Sequence, residues 1–261
     1  MALNHSPNIV TNNLLLSIDF RNPVNYTSGN SANSVVTTST FSRTNPSTSY
    51  ATYNSAGYIT FSRLAGSATQ AVKQTAGDQY LTTMTTAAAK PHIFLYSDFT
   101  WEVWFKPNDL NPSSYDATEG VSVVSVFRGW HQGFYYTASD MRFGILSATG
   151  PTFYEFIVSN GSNTLVQGNW HQVVVTRKNN LYTMYFNSVS RGTATYTPTP
   201  VSEGAYTSND ISIGGAKWTG GTADYCWWSK MDFSNMKMYN RALTAAEIAQ
   251  NFDALRGRFG L

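Results

Sequence analysis

A single cysteine, Cys226, stands in the 261 residues. A disulfide framework is excluded, and a cysteine-ligated zinc site lacks the partners it needs. Charge is scarce. Asp, Glu, Lys and Arg make up 12% of the chain, and the net charge of +2 comes without a basic run. Nucleic-acid binding usually shows a clustered positive stripe, so no nucleic-acid partner is expected. No apolar run approaches the length of a membrane span, so no membrane role is expected either. The opening Met1-Ala2-Leu3-Asn4-His5-Ser6-Pro7 has neither a basic n-region nor an apolar h-region. No secretory signal is read there; the chain is expected to fold in a reducing cytoplasm or after losing a signal. His5, His92, His131 and His171 are scattered. Without a His-Glu-x-x-His pattern a zincin is excluded, and no Gly-x-Ser-x-Gly elbow appears.

Aromatic residues are plentiful instead, at 15%, and hydrophobic residues reach 42%, enough for a sizeable core. The length suits one large all-β domain over residues 1–261, with 1–12 as an N-terminal arm, 25–57 as a Ser/Thr/Asn-rich excursion and 243–261 as a C-terminal helix and tail. The chain is organised around Trp170–Phe186. Trp170–Arg177 is dominated by Val and Thr, and Leu181–Phe186 carries Tyr182, Tyr185 and Phe186. Such residues suit a pleated, half-buried surface. Asn tolerates positive φ, so Asn179-Asn180 can close a tight turn between the runs. Trp170 and Val174 fall on one face and Val173 and Val175 on the other, the pattern of a central strand covered on both sides.

Other strands follow the same logic. Phe99, Trp101, Val103 and Phe105 alternate with Thr100, Glu102 and Trp104. Short strands are predicted near Leu14–Ile18, Tyr58–Phe61, Tyr80-Leu81, Val121–Phe127, Gly133–Thr137, Met141–Leu146, Phe153–Val158, Ala194–Tyr196, Ile211–Ile213 and Phe233–Met238. Gly214-Gly215 ends one of these, and the changed apolar spacing at Ser234-Asn235 predicts a β-bulge. Residues 66–77 read as a polar loop and Ala87–Ala89 as one helical turn. The composition of 25–57 suits a disordered linker. Tyr26, Phe41, Tyr50 and Tyr53 punctuate that segment with packing groups and favour a surface excursion with one or two weak strands. Many short strands with regular turn signals mean a sandwich or barrel.

One helix is predicted near the C-terminus. Thr244 and Glu247 form a capping box, with Leu243 and Ile248 at the staple positions. Ile248, Phe252 and Leu255 make one apolar stripe. Arg256 complements the helix dipole, and Gly257 can supply a left-handed stop. The helix is expected as a lid on the sandwich edge.

Together these segments resemble the concanavalin A-like lectin/glucanase superfamily, in its laminin-G-like jelly-roll branch. Phe99-Thr100-Trp101-Glu102-Val103-Trp104-Phe105-Lys106-Pro107 is similar to the family's Phe-Thr-(apolar)-Glu-(apolar)-Trp-(apolar)-Lys-Pro strand. Trp170-His171-Gln172-Val173-Val174-Val175-Thr176 is similar to its Trp-His-His-Val-Ala-Val-Thr strand. Leu181–Asn187 resembles the returning strand, with Ser188 where the family usually has Gly. Asp232–Asn251 resembles the closing strand and its helix. Tyr239–Thr244, Asn251–Leu261 and the opening Pro7–Asp19 are also similar to the ends of jelly-roll proteins on tailed-phage particles.

The resemblance implies an all-β fold: an antiparallel two-sheet jelly-roll sandwich with a short C-terminal α-helix. It also raises hydrolysis, which needs two carboxyl groups about 5 Å apart when configuration is retained. The superfamily's hydrolases place them as Glu-x-Asp-x-Glu, because alternate residues share a face. Glu102, Glu119, Glu155, Glu203 and Glu247 fall in no such pattern. No catalytic residue is assigned. Calcium is a candidate cofactor, since relatives with this fold often bind it through loop oxygens. Asp19, Asp78 and Asp224 qualify by type alone, and no metal ligand is assigned. His171 is expected on or near the sheet surface and not as a base.

Sugar C–H faces stack on aromatic rings while polar side chains hold hydroxyls. Trp130, His131, Trp218, Asp224, Tyr225, Trp227 and Trp228, beside Gly-rich loops, are the candidate carbohydrate-binding residues. Packing in the core, under the helix or against a neighbouring subunit is the competing reading for these rings. The expected function is a non-enzymatic structural protein of a tailed-phage virion, in capsid decoration, tail fibre or baseplate. It would be assembled in the host cytoplasm beside other virion proteins, as a homo-oligomer or in many copies. It would touch host surface glycans weakly, with the N-terminal third and the 256–261 tail as attachment segments. A free lectin-like module and a divergent glycoside hydrolase are the alternatives.

Overall fold

In a computed structural model of the chain, residues 8–21, 31–33, 40–44, 52–61, 71–74, 97–110, 121–126, 132–137, 140–146, 153–159, 165–197, 211–214, 216–217, 225–226 and 230–261 are described. The strands are β1 (Leu14–Asp19), β2 (Ser31–Asn33), β3 (Thr40–Thr44), β4 (Thr52–Asn54), β5 (Tyr58–Phe61), β6 (Ala71–Gln74), β7 (Phe99–Pro107), β8 (Val121–Val126) and β9 (Gln132–Tyr136). They continue with β10 (Asp140–Leu146), β11 (Phe153–Ser159), β12 (His171–Lys178), β13 (Leu181–Phe186), β14 (Val189–Thr195), β15 (Ile211–Ile213), β16 (Ala216–Lys217), β17 (Tyr225–Cys226) and β18 (Met231–Tyr239). One helix, α1 (Ala245–Arg256), follows.

Two eight-stranded sheets form the sandwich. The first runs β14-β13-β12-β7-β18-β5-β4, with β1 also on β18. The second runs β11-β10-β9-β8-β15-β6-β3-β2. Among the described residues every strand pairing in both is antiparallel, including β7 on β12 and on β18. This is the antiparallel two-sheet sandwich that the family resemblance implies.

The central strands read as expected. Phe99, Trp101, Val103 and Phe105 of β7 point between the sheets with Val173 and Val175 of β12. There Trp101 meets Phe134 at 6.4 Å and Phe143 at 5.7 Å, both edge to face. β12 is flanked by β7 and β13 and is buried from His171 to Arg177. The bulge falls where the spacing changed: the register of β18 on β7 shifts between Phe233 and Asn235.

Several expectations need correction. Residues 66–77 contain β6, which pairs with β15 and β3; a sequence reading misses a short strand whose one large aliphatic residue is Val72. Three described strands fall within 25–57, and β14 begins at Val189, well before Ala194. β14 ends the first sheet and its residues are mostly exposed, so it needs no apolar pattern. Gly257 continues right-handed at φ −61°, and the left-handed residue is Gly260 at φ 74°. α1 lies across the outer face of the first sheet and not on an edge, because Leu243 and Ile248 pack on Val174 and Tyr239. Tyr80-Leu81 and Ala87–Ala89 lie outside the described residues. Among the described residues no helix is long and apolar enough to cross a membrane.

Candidate functional site

Pleating sends Thr100, Glu102, Trp104 and Lys106 of β7 to the outer face of the first sheet. What covers each of them differs along the strand. Thr100 Oγ1 donates to the Arg241 carbonyl and accepts from the Leu243 amide, both at 2.8 Å, and so anchors the chain entering α1.

Glu102 is fully buried beneath the helix. Its Oε1 accepts from Lys237 Nζ at 2.9 Å, Gln172 Nε2 at 3.1 Å and Trp104 Nε1 at 3.1 Å. Its Oε2 accepts from Asn251 Nδ2 at 2.7 Å. Burial works against ionisation, but the Lys237 ammonium and the hydrogen bonds from Lys237, Gln172 and Asn251 outweigh it, so the carboxyl is held below the usual carboxylate range. Asn251 also accepts from the Val10 amide at 2.7 Å, and Tyr239 donates to the Val10 carbonyl at 3.0 Å. The network ties the opening segment, the central strands and the helix together. A fully buried carboxylate held by four donors ties these elements together as a structural anion.

Beyond the helix the surface opens into rings. Trp104 stacks on Phe252 at 5.6 Å and on Phe259 at 4.5 Å. Phe259 then meets Trp170 at 4.6 Å, and Trp170 meets Tyr58 edge-on at 5.5 Å. The row runs from a fully buried indole to two half-buried rings, Trp170 and Tyr58. Beside it lies a polar ladder set by register. Thr60 on β5 faces Asp232 on β18, which faces Lys106 on β7. Lys106 Nζ lies 2.6 Å from Asp232 Oδ2 and 5.6 Å from the centroids of both Tyr58 and Trp170. Asp232 Oδ1 accepts from Thr60 Oγ1 at 2.8 Å and Asn108 Nδ2 at 3.0 Å. Half-buried aromatic rings next to polar side chains suit a sugar ring, whose C–H face is apolar and whose rim is polar.

The sequence reading missed this cluster, though part of its signal was present: Lys106 shares the outward parity of Glu102, and Trp170 that of Val174. Of the residues it named, Tyr225 is placed through its backbone in β17, opposite Lys217. Trp130, His131, Trp218, Asp224, Trp227 and Trp228 lie outside the described residues. His171 is not near the surface, since it is 4% exposed and points inward with Val173. Its Nε2 lies 3.0 Å from the Val166 amide nitrogen and 3.2 Å from the Val166 carbonyl oxygen. Burial pushes its pKa below 6.5, and the Val166 backbone only partly offsets this. The 256–261 tail is engaged with the body: Arg258 pairs with Asp19 at 2.8 Å and donates to the Gly57 carbonyl at 2.9 Å. That pairing also makes Asp19 a poor calcium ligand, and Asp78 and Asp224 lie outside the described residues. Among the described residues no three His, Cys, Asp or Glu side chains gather as metal ligands.

Comparison with known proteins agrees with this architecture. A laminin-G family model, described as "Concanavalin A-like lectin/glucanases superfamily", matches residues 75–249. The chain belongs to that superfamily. No curated protein matches it by sequence. Among solved structures, a botulinum neurotoxin type C protein, described through its interaction with two ganglioside molecules, superposes with a TM-score of 0.65 at 13% identity over 94% of this chain and 51% of its own. The binding domain of Paraclostridial Mosquitocidal Protein 1 gives 0.60 at 13% identity over 92% of this chain and 52% of its own. Trypanosoma rangeli sialidase gives 0.59 at 14% identity over 99% of this chain and 36% of its own. The chain thus spans about half the length of the toxin domains it matches. At these identities the likeness is one of fold.

Proposed function

We propose that this chain is a non-enzymatic structural protein of a tailed-phage virion, in capsid decoration, tail fibre or baseplate, whose lectin-like sandwich adheres weakly to host surface glycans. The observation that carries the adhesive part is the Tyr58–Trp170 pair, half-buried beside Lys106 and Asn108. The ganglioside interaction stated for the botulinum type C protein supports glycan as the ligand class. The engagement of Glu102 supports a binding role over hydrolysis. The virion role rests on the opening and closing segments that resemble phage jelly rolls. Those two segments bond to each other here, through the Val10 amide to Asn251 Oδ1 at 2.7 Å and Arg241 to the Asn12 carbonyl at 3.2 Å. Its partners are other virion proteins and further copies of itself, and it reaches the particle in the host cytoplasm. Many copies on a particle convert weak single contacts into avidity.

Two measurements test this. Mass spectrometry of purified particles should find the chain in stoichiometric amounts; its absence would remove the virion role and leave a free lectin-like module. Binding of the full chain to a glycan array should fall on Trp170→Ala. Release of reducing ends from any glycan that binds would point instead to a hydrolase.

A further inference from the structure

The Tyr58–Trp170 site has a polarity of its own. Asp232 is withdrawn, with 6% of its side chain exposed against 23% for Lys106. Both Asp232 oxygens are already taken by Thr60, Asn108 and Lys106. Lys106 has three N–H donors, and among the described residues its oxygen partner is Asp232 alone. The ammonium is held between two rings by that one carboxylate. What reaches solvent is therefore a cationic donor held over two aromatic rings, while the balancing anion is the more buried partner and already accepts from three donors.

Resting on the glycan-binding reading above, we propose that this site selects a sugar bearing a carboxylate. The pyranose C–H face lies on the Trp170 indole, and its carboxylate accepts from Lys106 Nζ. A neutral sugar can use the ring but offers Lys106 only hydroxyl oxygens. The ammonium–carboxylate bond adds attraction between opposite charges to the hydrogen bond, which an ammonium–hydroxyl bond lacks. The ring contacts and the Asp232 bridge hold Lys106 in place before the ligand arrives, so little side-chain entropy is lost on binding.

The test follows the Trp170 indole N–H signal by NMR in the full chain, assigned by its loss in Trp170→Phe. Methyl β-glucuronide and methyl β-glucoside differ only in the carboxylate; a methyl α-glycoside of N-acetylneuraminic acid serves as a second acidic probe. At least one acidic probe is expected to move the signal, with affinity roughly tenfold above that for the glucoside. Lys106→Met should remove that preference while leaving weak ring binding, and Lys106→Arg should keep it. Equal affinity for acidic and neutral sugars at Trp170 overturns the carboxylate assignment and leaves glycan adhesion standing. Sugar-induced shifts that spare Trp170 overturn the site but not the lectin-like reading. If no probe shifts any signal and no array glycan binds, both fall together.

Discussion

Ser188 closes the β13–β14 hairpin with φ 65°, next to Asn187 at φ 47°. Two successive left-handed residues make the primed turn that matches strand twist. Asn tolerates that region, but Ser pays a steric penalty there. Ser188→Gly, the family's usual residue, should raise stability by about 1 kcal/mol, read as a higher denaturant midpoint. Gly214 shows the opposite constraint. It sits at φ 84°, and a Cβ built on it would lie 2.5 Å from the Phe61 ring of the facing sheet. Gly214→Ala should cost about 3 kcal/mol by combining backbone strain with overpacking. His171 supplies a pH dependence. Its folded pKa lies below 6.5, so below that pH the unfolded chain binds the extra proton first and folding loses stability as pH falls. Denaturation midpoints from pH 7 to pH 5 should drop less steeply in His171→Gln than in the native chain. That glycine ends β15 was legible from the pair Gly214-Gly215. That His171 points inward was not, because the outward residues of β12 are as buried as the inward ones once the helix is laid on.

At the scale of elements, the helix was legible and its seat was not. Thr244 and Glu247 form the capping box, and Arg241 adds a 2.6 Å bridge that, with the Thr244 bonds, holds the Glu247 carboxyl down at about 2. The apolar stripe gave the orientation of α1 but hid Asn251, which sits inside that stripe and is buried. Its partner Glu102 lies 149 positions away, and no local pattern announces such a pairing. The buried pair makes a sharp expectation. Glu102→Gln strands the Lys237 ammonium, 4% exposed, without its counter-charge, and should cost about 3 kcal/mol. Replacing both, as Glu102→Leu with Lys237→Met, should recover most of that loss. A double variant as weak as the single one would mean the network stabilises through its remaining hydrogen bonds and not through charge balance.

For the molecule as a whole, alternation in β7 and β12 sufficed to read two layers, since each central strand carries its own apolar parity. One end of the second sheet carried little signal because β2, β3 and β6 are short and rich in Ser, Thr, Lys and Gln. The ring-and-ladder site was invisible for another reason. Tyr58, Lys106, Trp170, Asp232 and Phe259 come from five separate stretches and meet only through sheet order. The same order brings the two ends of the described chain together over the first sheet. Val10 is 8% exposed, packs with Val174, Tyr239, Leu243 and Ile248, and bonds through its backbone to Asn251 and Tyr239. Deleting residues 1–12 should therefore leave both sheets folded, because β1 begins at Leu14. It should still remove one buried valine and leave two buried polar groups short of a partner, a loss of about 3 kcal/mol. For a chain of this size that lowers the melting temperature by roughly 8 °C, with the far-ultraviolet β signature retained. An unchanged melting temperature would show that this segment is a detachable arm, and the opening and closing segments would then have to serve separately on the particle.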